Sequence, residues 1–264
     1  MSLFAGISRR RFMALIASST LVLNSSFANE NSPIKILMAG DSTMSVKALS
    51  DYPETGWGMP FATFFKDNIE IHNFAKNGRS SASFRTEGLW QQLMDLCQAG
   101  DYVFIQFGHN DEVATKATFT TPEQYQANLL AFIAEVKAKK AHPILLSPVT
   151  RRYFNGQGEI EETHPYSVLV KQVAMATAVD FIDLDTITRE YFSTMGDENS
   201  ALRFMHIKAN LHPNYPNGVK DNTHFNEIGA REVAQLVLTE LKKRQHPLIN
   251  NLRITDPKHL KLKY

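Results

Sequence analysis

The chain has 264 residues, with 28 Lys and Arg against 27 Asp and Glu, so its formal net charge is +1. This near-neutral balance gives no electrostatic footprint for nucleic acid, and no stretch after the N-terminal segment is apolar enough to predict a transmembrane helix. The single cysteine, Cys97, excludes an intramolecular disulfide framework, and its place in an apolar helical pattern predicts a small core residue.

The first 28 residues predict a cleavable export signal. A basic segment, Arg9–Arg11, precedes an apolar run too short to span a bilayer, and small residues at Ser26 and Ala28 predict cleavage after Ala28. The arginine pair resembles a twin-arginine signal, with an ordinary Sec signal as the alternative. Either route exports the protein, to the periplasm by default or outside the cell. Removal of these residues, which carry three arginines and no acids, leaves a single domain at 29–264 with a net charge of −2.

Apolar runs alternate with helical patterns along the rest of the chain. Strands are predicted at 34–39, 69–74, 102–107, 143–147 and 181–184, and helices at 56–66, 87–98, 122–140, 163–178 and 227–244. Pro122 suits the first turn of its helix and Asn226 can cap the last one. Residues 195–221 predict a long irregular connection. Strands separated by helices predict an α/β fold with a parallel sheet covered on both sides.

Four polar stretches lie where they can meet at one edge of this sheet. Three of them directly follow predicted strands, and the fourth precedes the last helix. They are Gly40-Asp41-Ser42-Thr43, Asn77-Gly78-Arg79-Ser80, Gly108-His109-Asn110-Asp111 and Asp221-Asn222-Thr223-His224-Phe225.

Together the four stretches supply what acyl transfer needs. Ser42 is the candidate nucleophile, His224 the candidate base, and Asp221 the carboxylate that orients the imidazole. The backbone N–H groups of Ser42 and Gly78 and the side-chain amide of Asn110 are candidate donors to an oxyanion.

Each stretch also has a structural interpretation. Ser42 could cap a helix, Gly78 could serve a turn with positive φ, and Asn110 could form an Asx turn. Asp221 and His224 could be an exposed helix entry, or metal ligands together with His109, His206 or His212. No Glu/His or Cys/His ligand motif supports a metal site, so neither a metal nor a cofactor is expected.

The four stretches in this order resemble the SGNH, or GDSL, hydrolase superfamily. Ser42, Gly78, Asn110 and the Asp221/His224 pair match its four blocks. Thr43 stands where the GDSL name implies Leu, and this form resembles the rhamnogalacturonan acetylesterase-like branch. Further segments resemble the same branch: Gly56-Trp57-Gly58-Met59, Gly78 to Phe84, Gln106 to Asp111 and Thr150-Arg151-Arg152.

The resemblance implies a flavodoxin-like three-layer α/β/α sandwich with a five-stranded parallel sheet. It also implies a serine esterase that removes acetyl groups from pectic oligosaccharides, acting as a monomer without a membrane anchor. Two alternatives stay open: a lipid-directed esterase or thioesterase of the same superfamily, and a non-catalytic carbohydrate-binding protein. Four residues are secondary candidates for sugar contacts, with structural roles as the alternative: Trp57, Arg79, His109 and Arg152.

Overall fold

A five-stranded parallel sheet forms the centre of the protein in a computed structural model, which describes residues 33–253. The strand order is β2-β1-β3-β4-β5, and every neighbouring pair runs parallel. The chain therefore reverses its direction of travel between β1 and β3, as in flavodoxin-like folds. The predicted fold class is confirmed. The strands are β1 (Ile34–Gly40), β2 (Ile69–Asn73), β3 (Tyr102–Gln106), β4 (His142–Leu146) and β5 (Asp180–Ile182).

Helices cover both faces of the sheet. Residues of α1, α6 and α7 pack against one face, and residues of α2 to α5 pack against the other. The helices are α1 (Gly58–Ala62), α2 (Ser81–Thr86), α3 (Leu89–Leu96), α4 (Pro122–Ala138), α5 (Ser167–Thr177), α6 (Leu184–Ala201) and α7 (Glu227–Lys243).

Strand β1 is apolar from Ile36 to Ala39 because both of its faces are buried there. Ile36 and Met38 belong to the apolar layer on one side of the sheet, and Leu37 and Ala39 to the layer on the other. Successive side chains of a strand point to opposite faces, so a strand covered by helices on both sides needs an unbroken apolar run.

The helix starts follow from local capping, as predicted. Pro122 occupies the first turn of α4, where Thr121 forms a capping box with Gln124. The Asn226 side chain accepts hydrogen bonds from the backbone at the start of α7. Cys97 is buried beside α3, and this burial raises the pKa of its thiol to about 11.

The prediction of an irregular connection at 195–221 is wrong over much of its length. Helix α6 continues through a kink at Gly196 to Ala201, and an antiparallel pair of strands follows, β6 (Phe204–Ile207) and β7 (Val219–Phe225). Strand β7 is only half-buried and is mostly polar, so it lacks the apolar run by which the sheet strands were predicted. Helix α2 was also missed, and the predicted helix at 56–66 shortens to α1.

Among the described residues, the helices include none with the length and apolar character to cross a membrane. The predicted export signal at 1–28 lies outside the described residues, so it stays a prediction.

Candidate active site

Ser42 lies on the turn that follows β1, at the carboxyl edge of the sheet. The backbone carbonyl of Asp41 accepts hydrogen bonds from the N–H groups of Met44 and Ser45, which closes the turn. A side chain at Gly40 would come within 3.0 Å of the Met44 sulfur and the Gln106 carbonyl, so only glycine fits there. This edge between β1 and β3 is where the strand order reverses, and open α/β sheets bind their ligands at such a point.

Ser42, His224 and Asp221 form one hydrogen-bonded chain. Ser42 Oγ lies 2.8 Å from His224 Nε2, and His224 Nδ1 lies 2.7 Å from Asp221 Oδ2. A carboxylate can only accept, so Nδ1 carries the proton and Nε2 is free to accept from the serine hydroxyl. The arrangement has the order of nucleophile, base and orienting carboxylate that acyl transfer requires.

A bulge in β7 brings Asp221 and His224 together. Asp221 pairs with Met205 and Phe225 pairs with Phe204, so residues 222–224 loop out of the strand. Asp221 Oδ1 accepts the backbone N–H groups of Thr223 and His224, which makes an Asx turn. The sequence interpretation that placed this pair at a helix entry is therefore wrong, since both residues belong to β7.

The carboxyl of Asp221 stays ionised over a wide pH range. Burial alone would raise its pKa, but the hydrogen bond from His224, the charge of that ring and the two backbone N–H groups outweigh burial. Together they lower the pKa of Asp221 to about 2.

The residues that carry the three candidate oxyanion donors, Ser42, Gly78 and Asn110, line one pocket together with His224. The pocket encloses about 310 Å³. Within residues 33–253, the backbone N–H groups of Ser42 and Gly78 donate to no protein acceptor. Gly78 has a φ of +77°, and an added Cβ would meet nothing within 4 Å, so a larger residue there would strain the backbone without crowding the pocket. Gly78 therefore serves a turn with positive φ, as one interpretation of the sequence had it, and it also lines the pocket. The lining residues are Ser42, Glu54, Asn77, Gly78, His109, Asn110, Lys116, Arg151, Asp221, Thr223 and His224.

Two of the secondary candidates have structural roles. Trp57 is completely buried in the core, so the hypothesis that its ring supports a sugar is wrong. Arg152 is buried and donates to Ser200, Asn222 and Asp197.

The neighbouring Arg151 is the arginine that lines the pocket, and there it donates to Thr223 Oγ1 and to the His109 carbonyl. Because Arg151 and Arg152 are adjacent, nothing in the sequence shows which of them is buried and which lines the pocket. Arg79 pairs with Glu87 and donates to the Asn77 carbonyl, so its contacts are also within the protein.

A buried chain of hydrogen bonds supports the Ser42 turn from beneath. Trp57 Nε1 donates to Gln106 Oε1 over 2.6 Å, and Gln106 Nε2 donates to Thr43 Oγ1 over 2.8 Å. The Thr43 hydroxyl in turn donates to Asp41 Oδ1, which also accepts the Thr43 N–H. Burial raises the pKa of Asp41, which these hydrogen bonds partly offset. Thr43, which stands where the GDSL name implies leucine, thus accepts a hydrogen bond from Gln106 and donates one to Asp41.

His109 is a buried ring at the wall of the pocket. It packs edge-on against His164 with 4.5 Å between ring centroids, and His164 Nδ1 lies 2.6 Å from Glu112 Oε1. Burial, reinforced by nearby positive groups, lowers the pKa of His109 well below its usual value, so this ring is neutral at pH 7.

The metal alternative gains no support from the described residues. Within residues 33–253, no three His, Cys, Asp or Glu side chains are grouped so as to hold a metal ion. His206 instead lies 2.8 Å from Asn222 Oδ1, and His212 packs beside Tyr52.

Known proteins resemble the chain in sequence and in fold. Residues 38–231 match the GDSL-like Lipase/Acylhydrolase family. The chain is 39% identical to the rhamnogalacturonan acetylesterase RhgT of Bacillus subtilis over 222 residues, covering 83% of this chain and 94% of that protein. It is 32% identical to the probable rhamnogalacturonan acetylesterase YesY of the same organism, covering 82% of this chain and 96% of that protein.

Solved structures share the fold. The acetylxylan esterase Axe2 of Geobacillus stearothermophilus superimposes with a TM-score of 0.57 at 20% identity, covering 80% of this chain and 95% of that one.

Proposed function

Because the chain belongs to the GDSL-like lipase/acylhydrolase family and is a carboxylic ester hydrolase, we propose that it removes O-acetyl groups from pectic oligosaccharides. The observation that carries the chemical part is the chain of hydrogen bonds from Ser42 Oγ through His224 to Asp221, with distances of 2.8 and 2.7 Å. The carbohydrate part is supported by the relatives, among which a rhamnogalacturonan acetylesterase is 39% identical over most of both chains.

The proposed reaction has two halves. In the first half, Ser42 Oγ attacks the acetyl carbonyl while His224 Nε2 takes the hydroxyl proton, and the tetrahedral oxyanion receives hydrogen bonds from Ser42 N, Gly78 N and Asn110 Nδ2. The oxyanion then re-forms the carbonyl as the bond between the acetyl carbon and the sugar oxygen breaks, and His224 gives its proton to that oxygen, which leaves as a hydroxyl. In the second half, His224 activates a water that attacks acetyl-Ser42 and releases acetate. Asp221 holds the imidazole in place and stabilises its positive charge throughout.

The walls of the pocket favour a polar substrate over a lipid. Glu54, Asn77, Lys116, Arg151 and Thr223 surround the reacting groups with charged and hydrogen-bonding side chains. Arg151 is a cation that suits the carboxylate of a galacturonate residue. A long acyl chain would desolvate these groups without giving them a partner, which is unfavourable.

Export and a single-copy active form complete the proposal. The arginines and small residues of segment 1–28 support export to the periplasm or beyond, with residues 29–264 as the mature enzyme and no membrane anchor. All five proposed catalytic and oxyanion residues belong to one chain, which supports a monomer as the active unit.

A substrate comparison tests the proposal. Release of acetate should be measured on acetylated rhamnogalacturonan oligomers, acetylated xylan oligomers and p-nitrophenyl esters of increasing acyl length. We expect the highest kcat/KM on the pectic oligomers and a steep fall as the acyl chain lengthens beyond acetyl. Preference for long acyl chains would favour a lipid-directed esterase, and preference for xylan oligomers would contradict the pectic substrate. No hydrolysis of any ester would favour a carbohydrate-binding protein.

A further inference from the structure

Lys116 donates directly to a proposed oxyanion residue. Its Nζ lies 2.7 Å from Asn110 Oδ1, and both residues line the pocket around Ser42. Lys116 comes from the loop between β3 and α4, whereas Asn110 follows the end of β3. The lysine stands in a polar segment without any recognisable motif, so nothing in the sequence distinguishes it.

A second contact holds the opposite end of the same amide. Asn110 Nδ2 donates to the backbone carbonyl of Arg79 over 3.0 Å. An ammonium group can only donate and a carbonyl can only accept, so these two partners admit only one orientation of the amide. Asn110 is 4% exposed, and the second N–H of its Nδ2 remains for a ligand in the pocket.

We propose that Lys116 is a positioning residue that holds and polarises the Asn110 amide toward the oxyanion. The inference rests on the proposed function, in which Asn110 is an oxyanion donor. A cation bonded to Oδ1 draws electron density from the amide nitrogen, so the remaining N–H becomes a stronger donor. The oxyanion exists only in the transition state, so the effect belongs in kcat.

The charge of Lys116 is available for this role. Within residues 33–253, no carboxylate lies within 4.0 Å of its Nζ, so no ion pair neutralises it. An alternative role, in which Lys116 contacts the carboxylate of an acidic substrate directly, would appear in KM and only with charged substrates.

The test is a double-mutant cycle on a neutral and an acidic substrate. Lys116→Met keeps an unbranched side chain one atom shorter and removes the charge, Lys116→Arg retains the charge, and Asn110→Ala removes the amide. The matched control is Lys137→Met, because Lys137 also donates to a single oxygen, the Thr177 carbonyl, from an exposed position on α4. Steady-state kinetics should use p-nitrophenyl acetate and acetylated rhamnogalacturonan oligomers.

We expect Lys116→Met to lower kcat roughly threefold to tenfold on both substrates with little change in KM. This loss is smaller than that expected for a directly bonded oxyanion donor, because Lys116 acts only through Asn110. Lys116→Arg should recover most of the lost kcat, and Lys137→Met should match the parent enzyme. In the Asn110→Ala background, Lys116→Met should change kcat by less than about twofold, since the group through which it acts is gone.

Three results would overturn the inference. The first is an unchanged kcat in Lys116→Met beside a slow Asn110→Ala, which leaves the proposed function intact. The second is equal effects of Lys116→Met with and without Asn110. The third is an effect confined to KM on the acidic oligomers, which assigns Lys116 to substrate binding. If Asn110→Ala itself left kcat intact, the oxyanion role in the proposed function would fail as well.

Discussion

The Asn110 side chain is the residue at which catalysis and binding can best be separated. It is buried at the end of β3, and its amide is held from two sides before any substrate arrives. A donor that is already in place stabilises charge in the transition state without reorganisation.

We therefore expect Asn110→Ala to lower kcat by about a hundredfold or more with KM little changed, on the scale of other side-chain oxyanion donors. Asn110→Asp should be at least as slow, because a carboxylate would repel the developing charge. Steady-state kinetics on one acetyl ester measures both effects, with circular dichroism to verify folding. A raised KM with an intact kcat would make Asn110 a substrate-binding residue.

Asp111, the next residue, affects stability through its own titration. Burial raises the pKa of its carboxyl to about 6, even though Ser81 and Thr120 donate hydrogen bonds to it. The folded protein thus holds this proton more tightly than the unfolded chain, whose aspartates titrate near 3.8. Its contribution to the free energy of unfolding is present below pH 3.8 and is lost as the pH rises to about 6.

Asp111→Asn should remove this loss. Among the described residues, the hydrogen bonds to the Asp111 side chain all end on Oδ1, which an asparagine retains. The stability of the variant relative to the parent protein should therefore rise between pH 4 and pH 6, by on the order of 2 kcal/mol. Urea unfolding of both proteins at several pH values measures the difference. A difference that is constant with pH would contradict the raised pKa.

Most of the residues of the candidate site could be predicted from the sequence, because Ser42, Gly78 and Asn110 each come soon after a predicted strand. It could not predict Lys116 or Arg151, because a lysine or arginine in a polar loop has the same local pattern whether it faces a pocket or solvent.

At the scale of elements, the turn after β1 is held by the segment that begins α1. The backbone N–H groups of Trp57 and Gly58 donate to the carbonyls of Thr43 and Met44, and side chains at Gly56 or Gly58 would collide with that backbone. The indole of Trp57 then continues through Gln106 to Thr43. The glycine–tryptophan–glycine segment is thus a clamp on the turn that presents Ser42.

Trp57→Phe should affect both stability and turnover. It keeps the aromatic packing but leaves Gln106 Oε1 buried without its donor, so we expect a loss of about 1–3 kcal/mol in the free energy of unfolding. We also expect a lower kcat, because Thr43 next to Ser42 loses its fixed partner.

Trp90→Phe is the matched control for this prediction. Trp90 is also buried and donates its indole N–H to one side chain, that of Glu135, but it belongs to α3 and its ring packs against Phe132 of α4. This variant should lose stability with kcat unchanged. Equal kcat values in the two variants would show that the clamp does not position Ser42.

The elements themselves were predictable where the apolar pattern is strong. The five sheet strands followed from it, and the starts of α4 and α7 followed from Pro122 and Asn226. The hairpin of β6 and β7 was not predictable, because these strands lie outside the central sheet and β7 is mostly polar. The bulge that joins Asp221 to His224 depends on pairing between distant residues, which the local sequence does not encode.

At the scale of the whole molecule, the strand order places the reacting groups. Ser42 follows β1 and Asn110 follows the adjacent strand β3. The chain then continues to α1 on one face of the sheet after β1 and to α4 on the other face after β3, which opens a crevice between the two strand ends. The β6–β7 pair brings His224 and Asp221 to the same edge. The order was predictable only through the family resemblance, because alternating strands and helices fit several parallel sheets.

Export is a prediction about the whole chain. The basic segment and the small residues at 26 and 28 predict a mature N-terminus at or near Asn29. N-terminal sequencing of active protein from outside the cytoplasm checks the cleavage. Replacement of both Arg9 and Arg10 by Lys should block export by the twin-arginine route. Normal export of this variant would indicate the Sec route, and an intact Met1 would contradict cleavage.

The turnover number of purified Ser42→Ala tests whether Ser42 is the nucleophile. The rate of acetate release from acetylated rhamnogalacturonan oligomers should be compared with that of the parent enzyme, after circular dichroism has verified the fold. We predict that kcat falls by about 10⁴-fold or more, as for triad members generally. Turnover near that of the parent enzyme would contradict the account.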